Sequence, residues 1–264
     1  MADSATRAGL ASSRRWTVLP RDERAERRLA DQLGVSPLVA RVLAARGMSE
    51  VARRFLEPSL ERDWVDPLLV PGLAEAADRV ERAGRSGETI AVFGDFDVDG
   101  MSSTALLTLA LRRLGAHVCP FIPHRFGEGY GLSREALARV AQECSPDLLV
   151  TVDNGISACE EVAWLRGRGV DVVVTDHHEP SGLVPRDVPV ADPKLCAECP
   201  SHDLAGVGVA LKLVCVVGAC LGQPDLWRDY LDVASLGTLS DMMPLTGENR
   251  SIVAEGIARM RVRT

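Results

Sequence analysis

Lysine is almost missing from this 264-residue chain: Lys194 and Lys212 stand against 28 arginines, a skew that points to a GC-rich coding genome. Long apolar runs are missing too. None approaches the roughly 20 residues needed to cross a bilayer, and the opening stretch MADSATRAGLASSRRW lacks the hydrophobic segment of a secretory signal. No membrane association is expected, and the cytoplasm is the predicted location. Cysteine does not form a disulfide framework: the seven residues are scattered and odd in number, and several sit in apolar segments, as reduced core thiols would. Cys196 and Cys199 have CxxC spacing, but with no second pair at a suitable distance a zinc site is not expected. Repeats and low-complexity tracts are also lacking. What is present, 46% hydrophobic and 25% charged residues, is the make-up of a soluble globular protein with material for one large domain or two small ones.

Charge is uneven. Residues 1–62 hold 12 arginines and 8 acidic residues, net +4, whereas residues 63–264 hold 18 basic and 29 acidic residues, net −11. A protein gripping nucleic acid through a broad basic face would look different. Acidic side chains gathered around cations would also produce this balance, so composition neither supports nor excludes a nucleic-acid substrate.

Periodicity gives the architecture. Residues 1–15 are polar and predicted to be disordered. Short helices follow over 21–33, 38–46 (with Ser36 as cap and Pro37 opening the helix) and 49–56. Residues 63–71 read as a linker, and the main domain is expected over 72–264. An amphipathic helix over 72–84 leads into an alternation of apolar strands and helices. Strands are predicted at 90–93, 116–123, 147–152, 170–175 and 188–191, with helices over 101–114, 134–144, 157–168, 203–220 and 225–236, and another within 247–261. Near-continuous apolar strands alternating with helices specify an α/β fold: a parallel sheet of about five strands with helices on both faces, preceded by a short helical N-terminal segment.

Chemistry gathers where the strands end. The first strand runs into GDFDVDG, three aspartates at alternate positions: Asp95, Asp97 and Asp99. Carboxylates this close repel one another unless a cation sits among them, and an oxygen-rich cluster suits Mg²⁺ or Mn²⁺. The third strand ends in Asp153, and the fourth in Asp176, His177 and His178. Parallel strands carry all three groups to one edge, where open α/β sheets bind ligands. Asp241 follows a later helix and could complete the set. Each group alone has a structural explanation: an acidic surface loop, a helix cap, loop polars, a turn residue. Their coincidence at equivalent strand ends favours a metal centre.

The residues then meet a known pattern. GDFDVDGMSSTALL (94–107), VTVDNGIS (150–157), VVVTDHHEP (172–180) and GTLSDMMPLTGENR (237–250) resemble the four motifs of the DHH phosphoesterase superfamily, Asp176-His177-His178 being its triplet. The DxDxDG form, with HRFGEGYGLS (124–133), ADPKL (191–195) and DLAGVGVALKL (203–213), is similar to the RecJ branch rather than to the HxxxDxD branch of pyrophosphatases and small oligoribonucleases. The resemblance runs from about Trp16 to the end. It implies a 5′→3′ exonuclease on single-stranded DNA in recombination and repair, using two Mn²⁺ or Mg²⁺ ions, with single-strand-binding protein or other repair proteins as partners. It implies metal ligation by Asp95, Asp97, Asp99, Asp153, His177 and Asp241, support from Asp176, His178 at the scissile phosphate, and a phosphate contact from Arg125. Catalysis would fall to Asp97, Asp99, Asp153, His177 and His178, with Asp153 between the other strand ends as the bridging carboxylate. Two ions about 3.5–4 Å apart can hold the attacking and leaving oxygens of a phosphodiester. Members of that branch continue into a second domain with a Gly-rich substrate motif, and many add an OB-fold. Both are expected to be absent from these 264 residues. The alternatives are a DHH hydrolase of small phosphorylated molecules or oligonucleotides, and a catalytically silent DNA-binding scaffold.

Overall fold

Side chains alternate between the two faces of a strand, and in this protein both faces are covered. The computed structural model describes residue 17, residues 19–125, residue 127 and residues 131–263. The tail expected over 1–15 lies outside the described residues. Five strands, β1 (Thr89–Phe93), β2 (His117–Phe121), β3 (Leu148–Val152), β4 (Asp171–Thr175) and β5 (Val190–Ala191), form one sheet in the order β2-β1-β3-β4-β5. All four pairings are parallel. Ile90, Val92, Leu148, Val150, Val152 and Val173 enter one apolar cluster; Ala91, Phe93, Leu149, Val172 and Val174 enter the other. The period of two explains why the strands read as unbroken apolar runs. The chain turns one way from β1 to β2 and the other way to β3, so the switch point lies above β1 and β3.

The helices divide between the faces. α5 (Leu73–Ser86), α6 (Val98–Arg113) and α9 (Gly206–Cys220) contribute to the first cluster, as do residues of α10 (Leu231–Ser240) and α11 (Gly247–Arg263). α7 (Arg134–Cys144) and α8 (Cys159–Arg166) cover the second. α6 begins three residues earlier than the sequence predicts, because Asp97 caps it by accepting from the Gly100 N–H at 2.9 Å. Asp99 is therefore in a first helical turn, not a loop. α9 begins three residues later than expected, since residues 203–205 are held outside the helix by their contacts at the site. The helix expected over 225–236 is a 3₁₀ turn (Leu226–Tyr230) followed by α10.

The described residues separate into two compact units, divided between Glu57 and Pro58. The first holds α1 (Glu23–Leu33), α2 (Pro37–Ala45) and α3 (Ala52–Leu56) around Leu29, Ala40, Leu43 and Ala52. Residues 58–71, read above partly as a linker, pack with the second unit. They contain α4 (Leu60–Asp63) and a 3₁₀ turn (Pro67–Leu69); Trp64 stacks on Trp227 at 4.1 Å, and the Val65 carbonyl accepts from Lys212 Nζ at 2.7 Å. One cysteine expectation is overturned. Cys119 of β2 and Cys144 at the end of α7 form a disulfide, because α7 returns along the face of the strand that precedes it and brings the Cα atoms to 6.1 Å. The other five cysteines are free thiols.

Candidate metal centre

Strand register builds the site. Phe93 is paired with Thr151, Thr151 with Val174, and Val174 with Val190. Two residues beyond each of these stand Asp95, Asp153, Asp176 and Asp192, so four strands end in an aspartate at the same level. All four are buried. Desolvation penalises each charge and like charges repel, so such a row needs partners.

Asp176 has them. One carboxylate oxygen accepts from the Ile156 N–H at 2.9 Å; the other accepts from the His177 N–H at 2.8 Å and from His178 Nδ1 at 2.7 Å. Burial pushes its pKa up, but these bonds, His178 foremost, outweigh that and hold it below the ordinary carboxylate value. The same bond raises the His178 pKa to about 9 against the opposing effect of burial, so the imidazole is cationic at neutral pH. Asp153 lacks such support. Its backbone is left-handed (φ 62°), a conformation uncommon outside glycine that recurs at functional sites. Burial first, then Asp97, raises its pKa to about 9. Burial and Asp153 likewise raise Asp99 to about 7.

His177 decides what the cluster is for. Its Nδ1 lies 3.1 Å from the Leu204 carbonyl, which can only accept, so Nδ1 carries a proton, and in the neutral ring Nε2 presents a lone pair. That lone pair faces Asp153 Oδ1 at 3.0 Å, Asp241 Oδ2 at 3.7 Å and Asp99 Oδ2 at 3.8 Å. His177 Nε2, Asp153 Oδ1 and Asp241 Oδ2 have no hydrogen-bond partner among the described residues. Carboxylate and imidazole donors converging from four side chains suit a divalent cation. Among the described residues, two groups of ligand atoms lie within 4.8 Å of one another: Asp153, His177 and His178; and Asp99, His177 and Asp241. Cys196 and Cys199 are in neither, and the Cys199 thiol instead points to the Leu69 carbonyl.

The remaining candidates lie alongside. Asp97 is exposed at the start of α6, outside both groups but close enough to Asp153 to raise its pKa. Asp95 accepts from the Phe96 N–H at 2.7 Å and is in neither group; burial raises its pKa. Arg125 is exposed, its guanidinium 5.1 Å from the centre of the Phe96 ring, between Asp95 and Asp97 in the chain.

A model of the DHH family's N-terminal domain matches residues 89–238, the span from the first strand into the helix before Asp241. The chain belongs to the DHH family. It is 41% identical over 257 residues to the single-stranded-DNA-specific exonuclease RecJ of Bacillus subtilis, covering 96% of this chain and 32% of that protein. A crystal structure of RecJ from Thermus thermophilus in complex with Mn²⁺ superimposes with a TM-score of 0.76 at 36% identity, over 92% of this chain and 34% of that one. A crystal structure of exonuclease RecJ bound to manganese gives 0.67 at 43% identity, over 72% of this chain and 48% of that one. The DHH chain thus spans about a third to a half of the length of these three relatives.

The DHH domain also uses residues to which the motifs had given no role. Residues 203–207 form a strap over the site: the Leu204 carbonyl accepts from His177 Nδ1, while the Gly206 and Val207 N–H groups donate to Asp99 at 2.8 and 3.0 Å. Those two donors are at the N-terminus of α9, where a carboxylate is electrostatically favoured. Side chains are excluded there: a Cβ on Gly206 would meet the Asp153 side chain at 2.6 Å, and one on Gly237 would meet Asp99 Oδ1 at 2.5 Å. The signal was present as glycines in AGVG and LGT beside apolar helical runs, but the partner of each glycine is distant in sequence.

Proposed function

We propose that this DHH domain is the hydrolytic centre of a divalent-metal-dependent 5′→3′ exonuclease for single-stranded DNA, acting in recombination and repair. The observation that carries the reading is His177 Nε2 set among the carboxylates of Asp153, Asp241 and Asp99, at 3.0, 3.7 and 3.8 Å, with no hydrogen-bond partner among the described residues. The residues that would hold two Mn²⁺ or Mg²⁺ ions are Asp97, Asp99, Asp153, His177 and Asp241, with Asp95 at the margin. Mixed carboxylate and imidazole donors favour Mn²⁺ somewhat over Mg²⁺. Such ions, when bound, neutralise charge on a phosphodiester and make water a stronger nucleophile.

The chain's own groups supply the rest. His178, cationic through Asp176, is a charge-assisted donor for a phosphate oxygen. Arg125, its guanidinium over the ring of Phe96, the residue between Asp95 and Asp97 in the chain, would steer the phosphodiester. Single-stranded DNA as substrate is supported by the specificity in the names of the relatives. On the family resemblance alone, repair proteins such as single-strand-binding protein are the proposed partners and the cytoplasm the proposed location.

Calorimetric titration with Mn²⁺ tests the centre, and a 5′-labelled single strand compared with pyrophosphate and dinucleotides tests the substrate. Absence of Mn²⁺ binding would remove the hydrolase reading. Hydrolysis of the small substrates with the strand left intact would replace it with a small-substrate DHH phosphoesterase.

A further inference from the structure

Two loops far apart in sequence border His177, and one amide holds both. Asn249, in the first turn of α11 and 2% exposed, donates through Nδ2 to the Asp203 carbonyl at 2.6 Å and to the Pro244 carbonyl at 3.2 Å. Asp203 opens the strap whose next residue, Leu204, fixes the His177 proton and whose Gly206 and Val207 hold Asp99. Pro244 closes the turn that begins at Asp241 and passes through Met242, whose backbone is left-handed (φ 55°). Both partners of Asn249 are acceptors, so only the NH₂ edge of the amide can face them.

We infer that Asn249 is a positioning residue for the metal centre: by clamping the 203–207 strap to the 241–244 turn it sets the approach of His177 and Asp99 to Asp241. The hydrogen bonds of Asn249 go to backbone carbonyls of the two loops and to none of the carboxylates or imidazoles of the centre. Groups that orient metal ligands typically change metal affinity about 10–100-fold when lost. The inference rests on the metal reading above, and its test separates the two.

The test uses the full 264-residue chain and Mn²⁺ alone. Asn249→Asp keeps the shape and replaces the donor edge with an acceptor; Asn249→Ser keeps a donor too short to span both carbonyls. Ser251→Ala is the control. Ser251 lies two residues further along α11 and donates to Asp63 Oδ2 at 2.6 Å, a buried bond on the same helix remote from the strap. Mn²⁺ affinity by calorimetry is expected to fall about tenfold or more in both Asn249 variants and to stay within about twofold of wild type in Ser251→Ala. The ¹⁵N resonances of the His177 ring, read in metal-free protein, are expected to shift from the Nδ1-protonated form toward a mixture of tautomers in the Asn249 variants only. Unchanged affinity and tautomer in the Asn249 variants, or an equal loss in Ser251→Ala, overturns the inference. So does failure of both Asn249 variants to fold, which would make the residue structural. Failure of wild type to bind Mn²⁺ would instead sink the metal reading.

Discussion

The bond from His177 Nδ1 to the Leu204 carbonyl, 3.1 Å, determines the chemistry of the opposite edge of the ring. With the Nδ1 proton committed there, the neutral imidazole offers a lone pair to Asp153, 3.0 Å away. Two acceptors at that distance, inside a buried cluster, are repulsive until a cation or a proton enters. Metal and proton therefore compete for the same space.

That competition sets a pH dependence. Asp153 and Asp99 are raised by burial to about 9 and about 7, above their unfolded values of about 3.9. His178 is raised to about 9 by Asp176. Groups with raised folded pKa values bind more protons in the native state, so their stabilisation is full at low pH and is lost as pH rises through the folded values. Asp176, held low, contributes in the opposite sense and only in acid. We expect the melting temperature of metal-free protein to fall between pH 6 and pH 9, and Mn²⁺ to raise it more at pH 9 than at pH 6. Calorimetric scans with EDTA and with Mn²⁺ check this; a metal-free melting temperature that rises over that range contradicts it.

Asp153→Asn keeps the size and the tolerance for the left-handed backbone but removes the charge. Metal-dependent hydrolysis and the Mn²⁺-induced rise in melting temperature are expected to disappear, while the metal-free variant melts at or above wild type at pH 8. Asp153→Ala is expected to lose the same activity and remain folded by circular dichroism. Wild-type turnover in either variant would remove Asp153 from the centre.

Gly206→Ala puts a methyl group 2.6 Å from the Asp153 side chain, so that the strap or the carboxylate must shift. A loss of roughly 1–3 kcal/mol in denaturant-measured stability is expected from overpacking, with Mn²⁺ affinity lowered as Asp153 is displaced. Full affinity in this variant would show that Asp153 is free to move without cost to the centre.

Lys212 is fully buried, pairs with Glu248 at 2.9 Å and sits 4.1 Å from the centre of the Trp64 ring. Burial lowers its pKa against the pull of Glu248. Glu248→Gln leaves a buried ammonium without its counter-charge and is expected to cost about 3–5 kcal/mol. Lys212→Met combined with Glu248→Gln is expected to cost less than Glu248→Gln alone. Equal losses in the single and double variants, by urea unfolding, would mean the pair is not coupled.

The strands, their parallel order and the aspartate row were legible because a two-residue period and a fixed register act locally: once the apolar runs are aligned, Asp95, Asp153 and Asp176 must share a level. Other features were not legible. That residues 58–71 pack rather than link depends on Trp64 meeting Trp227 and on Val65 meeting Lys212, pairs far apart in the chain. The Cys119–Cys144 bond depends on the return path of α7.

The order of strands and helices, the residue types at the strand ends and the family they resemble were set by the chain's own pattern, since hydrophobic periodicity and carboxylate chemistry need no knowledge of distant neighbours. Which nitrogen of His177 holds its proton, which glycines must lack a side chain, and that Asn249 ties two loops together were decided only by tertiary structure. Each of those depends on the separation of groups that folding alone brings within a few ångströms.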